Sequence, residues 1–377
     1  MKITFLIQDL FQQGAEYVTA LMIRGFVKKG YKVDLLLSKV HSDLLHEGNK
    51  PFDIPKGVNV IIMSSRKARY NIRFLYKYIK STDSKAIIAM CPNYLSALAL
   101  AGIGHRNVKL GYVEHGGLSY GQLSIDDVKQ PRKFSIGWML GKLISREIDV
   151  FMAVSSGNAK IVEKIYGLPA GTVKAVYNPV VDETFKIKLS QPTVTHQLIN
   201  KTIKTVAAAG AFCEFKDHIN LFRAIKLANE TMPVRLILFG KGYLEDSYRQ
   251  WIADNKMSDL ICLAGHTDNL PAEIKSADLF ICSSTIESFS VVIIEALASG
   301  TPVLSTRCNY GPPEILGDGK YGKLVSVGDS KSMAATIIEI LSKEKQKVPD
   351  EAWNRFEVDK IVENYELALN LKNQKSL

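Results

Sequence analysis

Short apolar runs alternate with helix-length segments along most of this 377-residue chain. Parallel strands need a long crossover connection, which is usually a helix, so the alternation predicts parallel sheets covered by helices. The predicted strands form two series, residues 2–8, 33–37, 58–63, 85–90, 110–113, 148–154 and 173–177, followed by residues 205–209, 234–239, 261–263, 279–282 and 302–305.

We therefore expect an α/β fold with two Rossmann-like domains. The first spans residues 1–180 and the second spans residues 204–355, which are ordinary sizes for domains. Residues 181–203 are polar and rich in turn-forming residues, so we predict a linker there. The tail, residues 356–377, contains a predicted amphipathic helix.

Positive charge is concentrated in the first half of the chain. Residues 1–179 carry 25 lysines and arginines against 13 aspartates and glutamates, whereas residues 180–377 carry 23 against 25. This asymmetry predicts an acidic partner for the first domain. A nucleic-acid-binding module is an alternative interpretation, although the sequence contains no DNA- or RNA-binding motif.

Two basic segments favour peripheral contact with an anionic membrane. One runs from Ser64 to Lys80 and mixes six lysines and arginines with aromatic and aliphatic residues, and the other runs from Lys129 to Lys133. This composition is typical of helices that lie on membrane surfaces. An ordinary amphipathic surface helix is the alternative for the first segment.

The sequence also predicts a cytoplasmic location. No window approaches the roughly 18–20 uncharged apolar residues of a spanning helix. The first residues form a predicted strand and lack the cleavage region of a signal peptide. Five scattered cysteines without a Cys-x-x-Cys pair fit a reducing compartment and argue against a disulfide framework or a metal site.

Two glutamates flank the start of a predicted helix between Ile281 and Leu316. Glu287 lies in a polar loop after a strand, and Glu295 lies about one turn inside the helix that begins near Ser290. The serines before the helix are suited to capping it, and backbone N–H groups at a helix N-terminus favour anions. We interpret the carboxylates as acceptors for hydroxyl groups, so a nucleotide sugar suits this site.

A histidine and a glycine near strand ends extend the predicted site. His115 follows the strand 110–113 and precedes two glycines, and Gly14 lies in the first strand-to-helix turn. Ligands of open α/β sheets bind beyond the carboxyl ends of the strands. No Asp-x-Asp triplet that would hold a divalent metal occurs in the sequence. We therefore expect metal-independent chemistry without a bound cofactor.

These features resemble the retaining glycosyltransferases of family 4, which have the GT-B fold. The resemblance covers nearly the whole chain, and its most specific element is the pair of glutamates with the residues that follow. The motifs that carry it are residues 13–16 (QGAE), 148–155 (IDVFMAVS), 176–180 (VYNPV), Glu287 with Glu295, 298–303 (ASGTPV) and 355–365.

The resemblance implies two Rossmann-like domains that face a central cleft and a C-terminal helix that crosses back to the first domain. It implies that His115, Glu287 and Lys216 are catalytic, with Lys216 on the diphosphate and Glu287 on the transferred sugar. Glu295 is implied to accept the ribose hydroxyls. The full set of implied donor-binding residues is Gly14, Gly210, Lys216, Gly240, Gly265, His266, Glu287, Ser288, Phe289, Ser290 and Glu295.

One position departs from the family pattern. The family usually has Gly-Arg, four residues and then Lys, whereas Gly210 is followed here by Ala211. The missing arginine removes a charge-assisted contact to the leaving phosphate. Arg307 and Lys241 are candidate substitutes, and the alternatives are a different donor geometry or low activity.

The resulting prediction is a retaining glycosyltransferase. It moves a hexose or N-acetylhexosamine from a nucleoside diphosphate sugar, with a UDP-sugar as the preferred donor, to a hydroxyl of a lipid-linked or cell-surface glycan. The alternatives are a GT-B-fold sugar-nucleotide epimerase or phosphorylase, and a low-activity scaffold in a glycan-assembly complex.

Overall fold

The computed structural model describes residues 1–11, 14–46, 51–104, 107–116, 136–193 and 203–371. The chain forms two compact units. The first unit contains residues 1–179 and 358–377, and the second unit contains residues 180–357.

A parallel sheet forms the centre of the first unit. Within the described residues it has seven strands in the order β3-β2-β1-β4-β5-β6-β7. Strand β4 is buried along its whole length and β1 along all but its first residue, as expected for a parallel sheet that is covered on both faces. The strands are β1 Lys2–Ile7, β2 Lys32–Leu37, β3 Asn59–Ile62, β4 Ala86–Ala89, β5 Lys109–Glu114, β6 Val150–Ala153 and β7 Lys174–Ala175.

Helices lie between successive strands along the chain, as expected for parallel strands, which need a long crossover connection. Helix α4 starts with a proline, which suits the first helical position because its missing N–H has no intrahelical partner there. The α-helices of this unit that lie in its described residues are α1 Gly14–Lys28, α2 Lys39–His46, α3 Ile72–Ser81, α4 Pro92–Gly102, α5 Ile136–Glu147, α6 Ser156–Tyr166 and, from the tail of the chain, α14 Val358–Ala368.

The tail helix α14 packs against α1 in the first unit. Lys29 Nζ lies 3.1 Å from Glu366 Oε2, and the Tyr31 hydroxyl donates to Glu366 Oε1 at 2.8 Å. The close approach of the helices depends on Gly25, where a Cβ atom would lie 2.5 Å from Val358 Cγ1 and 2.6 Å from Val362 Cγ2. A glycine therefore sets the distance between the two helices.

We expect Gly25→Ala to destabilise the first unit. The added methyl meets two β-branched side chains whose rotamers are stiff in a helix, and such overpacking costs about 1–3 kcal/mol. Gly141→Ala in α5 is the matched control, because the nearest atom to its Cβ is an oxygen at 3.6 Å, an ordinary contact. Thermal unfolding followed by circular dichroism should show a lower melting temperature for Gly25→Ala alone. Equal melting temperatures of the two variants would contradict the packing role of Gly25.

A second parallel sheet forms the centre of the second unit. Its six strands, counted over the described residues, have the order β10-β9-β8-β11-β12-β13. The strands are β8 Lys204–Ala209, β9 Val234–Phe239, β10 Ile261–Gly265, β11 Leu279–Cys282, β12 Val303–Thr306 and β13 Lys323–Val325. The helices are α7 Glu183–Ser190, α8 His218–Ala228, α9 Glu245–Asp254, α10 Leu270–Lys275, α11 Val291–Ala298, α12 Pro312–Ile315 and α13 Ser330–Leu341. The two parallel α/β sheets confirm the predicted fold class.

The segment predicted as a linker contains a helix. Residues 183–190 form α7, and the Asp182 carboxylate caps it by accepting the backbone N–H of Phe185 at 2.8 Å. The side chain of Phe185 is buried. An aspartate cap and one buried aromatic residue are therefore enough to order this polar stretch, whose composition alone suggested turns.

The basic segment from Ser64 to Lys80 is helical only in its second part. Residues 68–71 form a 3₁₀ turn, and α3 begins at Ile72. The side chain of Asn71 bonds both backbone groups of Ser65, accepting its N–H at 3.2 Å and donating to its carbonyl at 3.0 Å, which closes a loop before the helix. The second basic segment, from Lys129 to Lys133, lies outside the described residues. No helix in the described part of the chain is long and apolar enough to cross a membrane.

Candidate active site

In the second sheet the strand order reverses between β8 and β11, and crevices for ligands open at such switch points beyond the carboxyl ends of the strands. Backbone contacts join the loops that follow these two strands. The Thr285 N–H donates to the Phe215 carbonyl at 2.8 Å, and the Ser283 hydroxyl donates to the Lys216 carbonyl at 2.7 Å. The side chains of residues 216 and 287 are thereby held side by side.

Lys216 and Glu287 form an ion pair at this switch point. Lys216 Nζ lies 2.5 Å from Glu287 Oε1, and the side chains are only 18% and 10% exposed. Burial lowers the pKa of Lys216, but the Glu287 carboxylate together with Cys282 and Cys213 raises it by more, so the net shift of its pKa is upward. The site therefore holds a fixed ammonium group next to a hydrogen-bond acceptor.

Two side chains that sequence reasoning missed support Glu287. The Ser284 hydroxyl donates to Glu287 Oε1 at 2.8 Å, and Cys282 Sγ lies 3.8 Å from the same oxygen. Both residues sit at the carboxyl end of β11 or just beyond it, where site residues of parallel sheets collect. The position of Ser284 just after a predicted strand could have identified it as a site residue from the sequence. Nothing in the sequence distinguishes Cys282 from an ordinary buried thiol.

The predicted donor-binding glycines bring neighbouring loops into contact. A Cβ atom on Gly240 would lie 1.9 Å from the Gly210 carbonyl oxygen, so no side chain fits there. The Phe212 N–H donates to the Lys241 carbonyl at 2.9 Å, and the Gly240 N–H donates to the Gly265 carbonyl at 2.8 Å. These contacts join the loops after β8, β9 and β10 into a continuous edge.

His266 lies in the loop after β10 and is largely exposed. Its Nε2 is 3.4 Å from Asp268 Oδ1, and both side chains face solvent. Gly265, immediately before it, has φ of 73°, a left-handed conformation that favours glycine. The structure therefore puts His266 on the rim of this edge, in the loop after β10, whereas Lys216 and Glu287 lie in the loops after β8 and β11.

The loop before α11 differs from the prediction in one respect. Ser290 occupies the N-cap position, but its side chain makes no capping hydrogen bond, and its hydroxyl lies 3.8 Å from Cys282 Sγ. The predicted hydroxyl cap is wrong because this side chain turns toward β11. The Phe289 ring is buried and packs on Phe356 with ring centroids 5.8 Å apart, so its side chain is not available to a ligand.

Glu295 is buried inside α11 at 9% exposure. Burial raises the pKa of its carboxyl to about 7, and Lys188 of α7 opposes this shift. No hydrogen bond or ion pair joins the carboxylate to any side chain that the structure describes. Burying a carboxylate without hydrogen-bond partners costs free energy of folding, so hydroxyl groups of a ligand would supply hydrogen bonds that the unliganded protein lacks.

The first unit carries the other two predicted site residues at the carboxyl edge of its own sheet. His115 follows β5, and within the described part of the chain its two buried ring nitrogens have no hydrogen-bond partner. Burial lowers the pKa of His115 to about 4, against an opposing effect of Asn178, so the imidazole is neutral at pH 7. Gly14 is the first residue of α1, and apart from its chain neighbours and its own helix no atom of the described residues lies within 4 Å of the position that a Cβ would take.

The two candidate substitutes for the missing arginine differ in their surroundings. Arg307 is paired with Asp318 at 2.8 Å. Lys241 is exposed, and no carboxylate among the described residues pairs with it. The backbone of Lys241 is bonded to Phe212, the residue next to Ala211, so Lys241 is the better placed of the two.

Two family models match the chain. The model described as Glycosyltransferase Family 4 matches residues 13–184, and the model described as Glycosyl transferases group 1 matches residues 194–353. Together they cover most of both units.

Two curated relatives are similar over part of their length. The N-acetyl-alpha-D-glucosaminyl L-malate synthase of Bacillus anthracis is 25% identical over 236 residues, which are 60% of this chain and 61% of the relative. The N-acetylgalactosamine-N,N'-diacetylbacillosaminyl-diphospho-undecaprenol 4-alpha-N-acetylgalactosaminyltransferase of Campylobacter jejuni is 25% identical over 203 residues, 54% of this chain and 53% of the relative. The matches thus span somewhat more than half of each relative.

The fold is similar to a solved structure over nearly its full length. Anabaena HepE, crystallised in complex with UDP, superposes with a TM-score of 0.77 at 22% identity. The match covers 98% of this chain and 100% of that protein. At this identity the likeness establishes the fold alone.

Proposed function

Since the chain belongs to the glycosyltransferases of the GT-B fold, we propose that it transfers a hexose or N-acetylhexosamine from a UDP-sugar to a hydroxyl group of an acceptor. The observation that carries this proposal is the Lys216–Glu287 pair at the switch point of the second sheet. A cation suits the departing diphosphate and a carboxylate suits sugar hydroxyls, so one pair provides for both halves of a nucleotide sugar.

In the proposed reaction the bond between the anomeric carbon and the diphosphate oxygen breaks, and the acceptor oxygen takes its place. The acceptor proton passes to the departing diphosphate, and the configuration at the anomeric carbon is retained. Charge develops on the diphosphate as the bond breaks, and Lys216 is positioned to stabilise it. The ammonium carries three N–H donors, so it can keep Glu287 as a partner while it binds phosphate oxygens.

Glu287 has a second role in this proposal. Its Oε1 already accepts from Lys216 and Ser284, which fixes the carboxylate in place. The remaining lone pairs are available to hydroxyls of the transferred sugar. His115 of the first unit is neutral at pH 7, and an uncharged imidazole does not repel the positive charge of an oxocarbenium-like anomeric centre.

The acceptor in this proposal is a lipid-linked or cell-surface glycan, and the protein works at the inner face of the cytoplasmic membrane. The Campylobacter jejuni relative, whose name includes a diphospho-undecaprenol acceptor, supports a lipid-linked substrate. The basic first half of the chain supports peripheral contact with an anionic surface. We further propose that transfer is metal-independent, since Lys216 and backbone N–H groups supply the positive charge.

Calorimetric titration with nucleotides tests the donor assignment. We expect UDP to bind more tightly than dUDP, because dUDP lacks the ribose 2′-hydroxyl that Glu295 is proposed to accept. A site built to bind a hydroxyl discriminates strongly against a ligand that lacks it, so the difference should be tenfold or more. In Glu295→Ala the preference should disappear. Equal affinities of the unmodified protein for UDP and dUDP would remove Glu295 from the ribose.

A further inference from the structure

The first sheet has its own switch point, which carries side chains that the Lys216–Glu287 pair does not involve. Its strand order reverses between β1 and β4, and an open cavity of about 470 Å³ lies at the carboxyl edge there. Gln8 follows β1 and Asn93 follows β4. Asn93 Nδ2 donates to Gln8 Oε1 at 3.2 Å across the reversal point. The cavity thus occupies the same topological position in the first unit as the Lys216–Glu287 pair occupies in the second.

Three cationic side chains line this cavity. Arg66, Lys67 and Arg69 come from the segment after β3. The positive charge of Arg66 is balanced by Asp43, since Arg66 Nε lies 2.7 Å from Asp43 Oδ2. Lys67 and Arg69 have no carboxylate partner among the described residues. Two uncompensated cations therefore face a concave surface.

The rest of the lining carries no negative charge and consists of Gln8, Ala68, Asn93 and Tyr94. The amides of Gln8 and Asn93 contribute donors and acceptors, and the Arg69 guanidinium donates to the Tyr70 hydroxyl at 3.2 Å. The acidic residues nearby, Asp9 and Glu16, are not part of the lining, and Asp9 Oδ1 accepts the backbone N–H of Phe11 at 3.0 Å. The cavity therefore presents net positive charge.

We propose that this cavity binds a phosphate group of the acceptor, so that the acceptor is a phosphate or diphosphate ester and not a neutral glycan. A guanidinium, an ammonium and amide N–H groups are the donors that recognise phosphate oxygens in proteins. The inference rests on the proposed transferase function and names the chemical class of the second substrate. Lys67 and Arg69 bind the phosphate, with Gln8 and Asn93 orienting it.

The same basic segment offers a matched control. Arg73 and Lys77 on α3 are exposed and do not line the cavity. If the surface attracts anions only by its net charge, anion binding should depend equally on Lys67 with Arg69 and on Arg73 with Lys77. If the cavity is a binding site, anion binding should depend on Lys67 and Arg69 alone. The double variants Lys67→Gln/Arg69→Gln and Arg73→Gln/Lys77→Gln remove the same charge from the same segment.

The experiment is a calorimetric titration of glycerol 3-phosphate and of glycerol into protein saturated with UDP, which blocks the diphosphate site. We expect glycerol 3-phosphate to bind and glycerol not to bind. Lys67→Gln/Arg69→Gln should weaken glycerol 3-phosphate at least tenfold, and Arg73→Gln/Lys77→Gln should change it less than twofold. Unchanged UDP affinity in both double variants verifies that each is folded.

Three results would overturn the inference. The first is equal weakening of glycerol 3-phosphate binding by both double variants. The second is equal affinity of the protein for glycerol 3-phosphate and glycerol. The third is a failure of glycerol 3-phosphate to bind, while the protein binds phosphatidylglycerol but not phosphatidylcholine vesicles and Arg73→Gln/Lys77→Gln loses this binding. That result would assign the positive charge to contact with a membrane surface. Each of the three leaves UDP binding intact, whereas failure of the proposed function appears as absence of UDP binding.

Discussion

Lys216→Met is expected to lower kcat about 10²–10³-fold, the usual cost of removing one preorganised group that stabilises developing negative charge. We expect a loss of kcat at the upper end of this range, because Ala211 stands where the family has an arginine that would also stabilise the negative charge of the diphosphate. Steady-state release of UDP from a UDP-sugar measures the effect. Lys204→Met is the matched control, since Lys204 pairs with Asp278 at 3.2 Å in the same unit but at the start of β8.

Lys216→Met also leaves Glu287 as a buried carboxylate without its charged partner. Breaking a buried ion pair on one side costs about 3–5 kcal/mol, so this variant should melt at a lower temperature. Lys216→Met/Glu287→Gln removes both charges and should recover most of the stability. Its kcat should be close to that of the single variant, because residues that act as a unit are not additive. A fully additive loss of kcat would mean that the two side chains act independently.

Glu295→Gln is expected to stabilise the unliganded second unit at pH 8 and to have little effect on its stability near pH 4.5. Burial raises the pKa of Glu295 to about 7 in the folded protein, while the unfolded chain keeps the ordinary value of 4.5. The folded state therefore binds the proton more tightly, and its stability falls as pH rises from 4.5 to 7. Glutamine cannot ionise, so the variant avoids this loss, which amounts to roughly 3 kcal/mol at 1.36 kcal/mol per pKa unit.

Melting temperatures between pH 4.5 and pH 8 test this expectation. For a unit of this size about 1 kcal/mol corresponds to about 2–4 °C. The difference between Glu295→Gln and the unmodified protein should therefore grow by several degrees over the range. Glu230→Gln, at an exposed position in the same unit, is the control and should show no such growth. A pH-independent difference for Glu295→Gln would mean that the carboxyl titrates near its ordinary pKa.

The same substitution should weaken UDP binding. If the ribose hydroxyls donate to Glu295, the ionised carboxylate is the binding form, and hydrogen bonds to a charged group contribute about 1.5–3 kcal/mol. The affinity for UDP should rise more steeply between pH 6 and pH 8 in the unmodified protein than in Glu295→Gln, where only the second ionisation of the terminal phosphate, with a pKa of about 6, contributes. The affinity of Glu295→Gln at pH 8 should be lower. The carboxylate would then cost folding stability and contribute to ligand affinity.

Much of the fold could be predicted from local pattern. Strands β9 and β11 have the predicted bounds, because each is a short run dominated by apolar residues and followed by polar residues or glycine. Strand β13 was not predicted, since it has three residues and is only partly buried. The composition of residues 181–203 predicts a linker and not helix α7, because the order of this helix depends on one cap and one buried side chain. Propensity is a weak guide where so few contacts decide the structure.

The site could be predicted only in part. Glu287 and Glu295 stand out because they flank a helix start in one continuous stretch. The pairing of Lys216 with Glu287 joins residues that are 71 positions apart, and no periodicity links them. Family resemblance supplied Lys216, and the contact between its loop and the β11 loop became visible in the structure. The direction of the Ser290 side chain depends on packing against Cys282, which composition does not encode.

The central claim is that the Lys216–Glu287 pair serves sugar transfer from a nucleotide donor. Its most direct test is the release of free UDP from UDP-glucose, UDP-galactose and their N-acetylhexosamine counterparts, with water as the default acceptor. We predict saturable UDP release from at least one donor, lowered about 10²–10³-fold by Lys216→Met and unchanged by Lys204→Met. Failure to release UDP from any of them, equal rates for Lys216→Met and the unmodified protein, or conversion of the UDP-sugar to another without free UDP would contradict the claim.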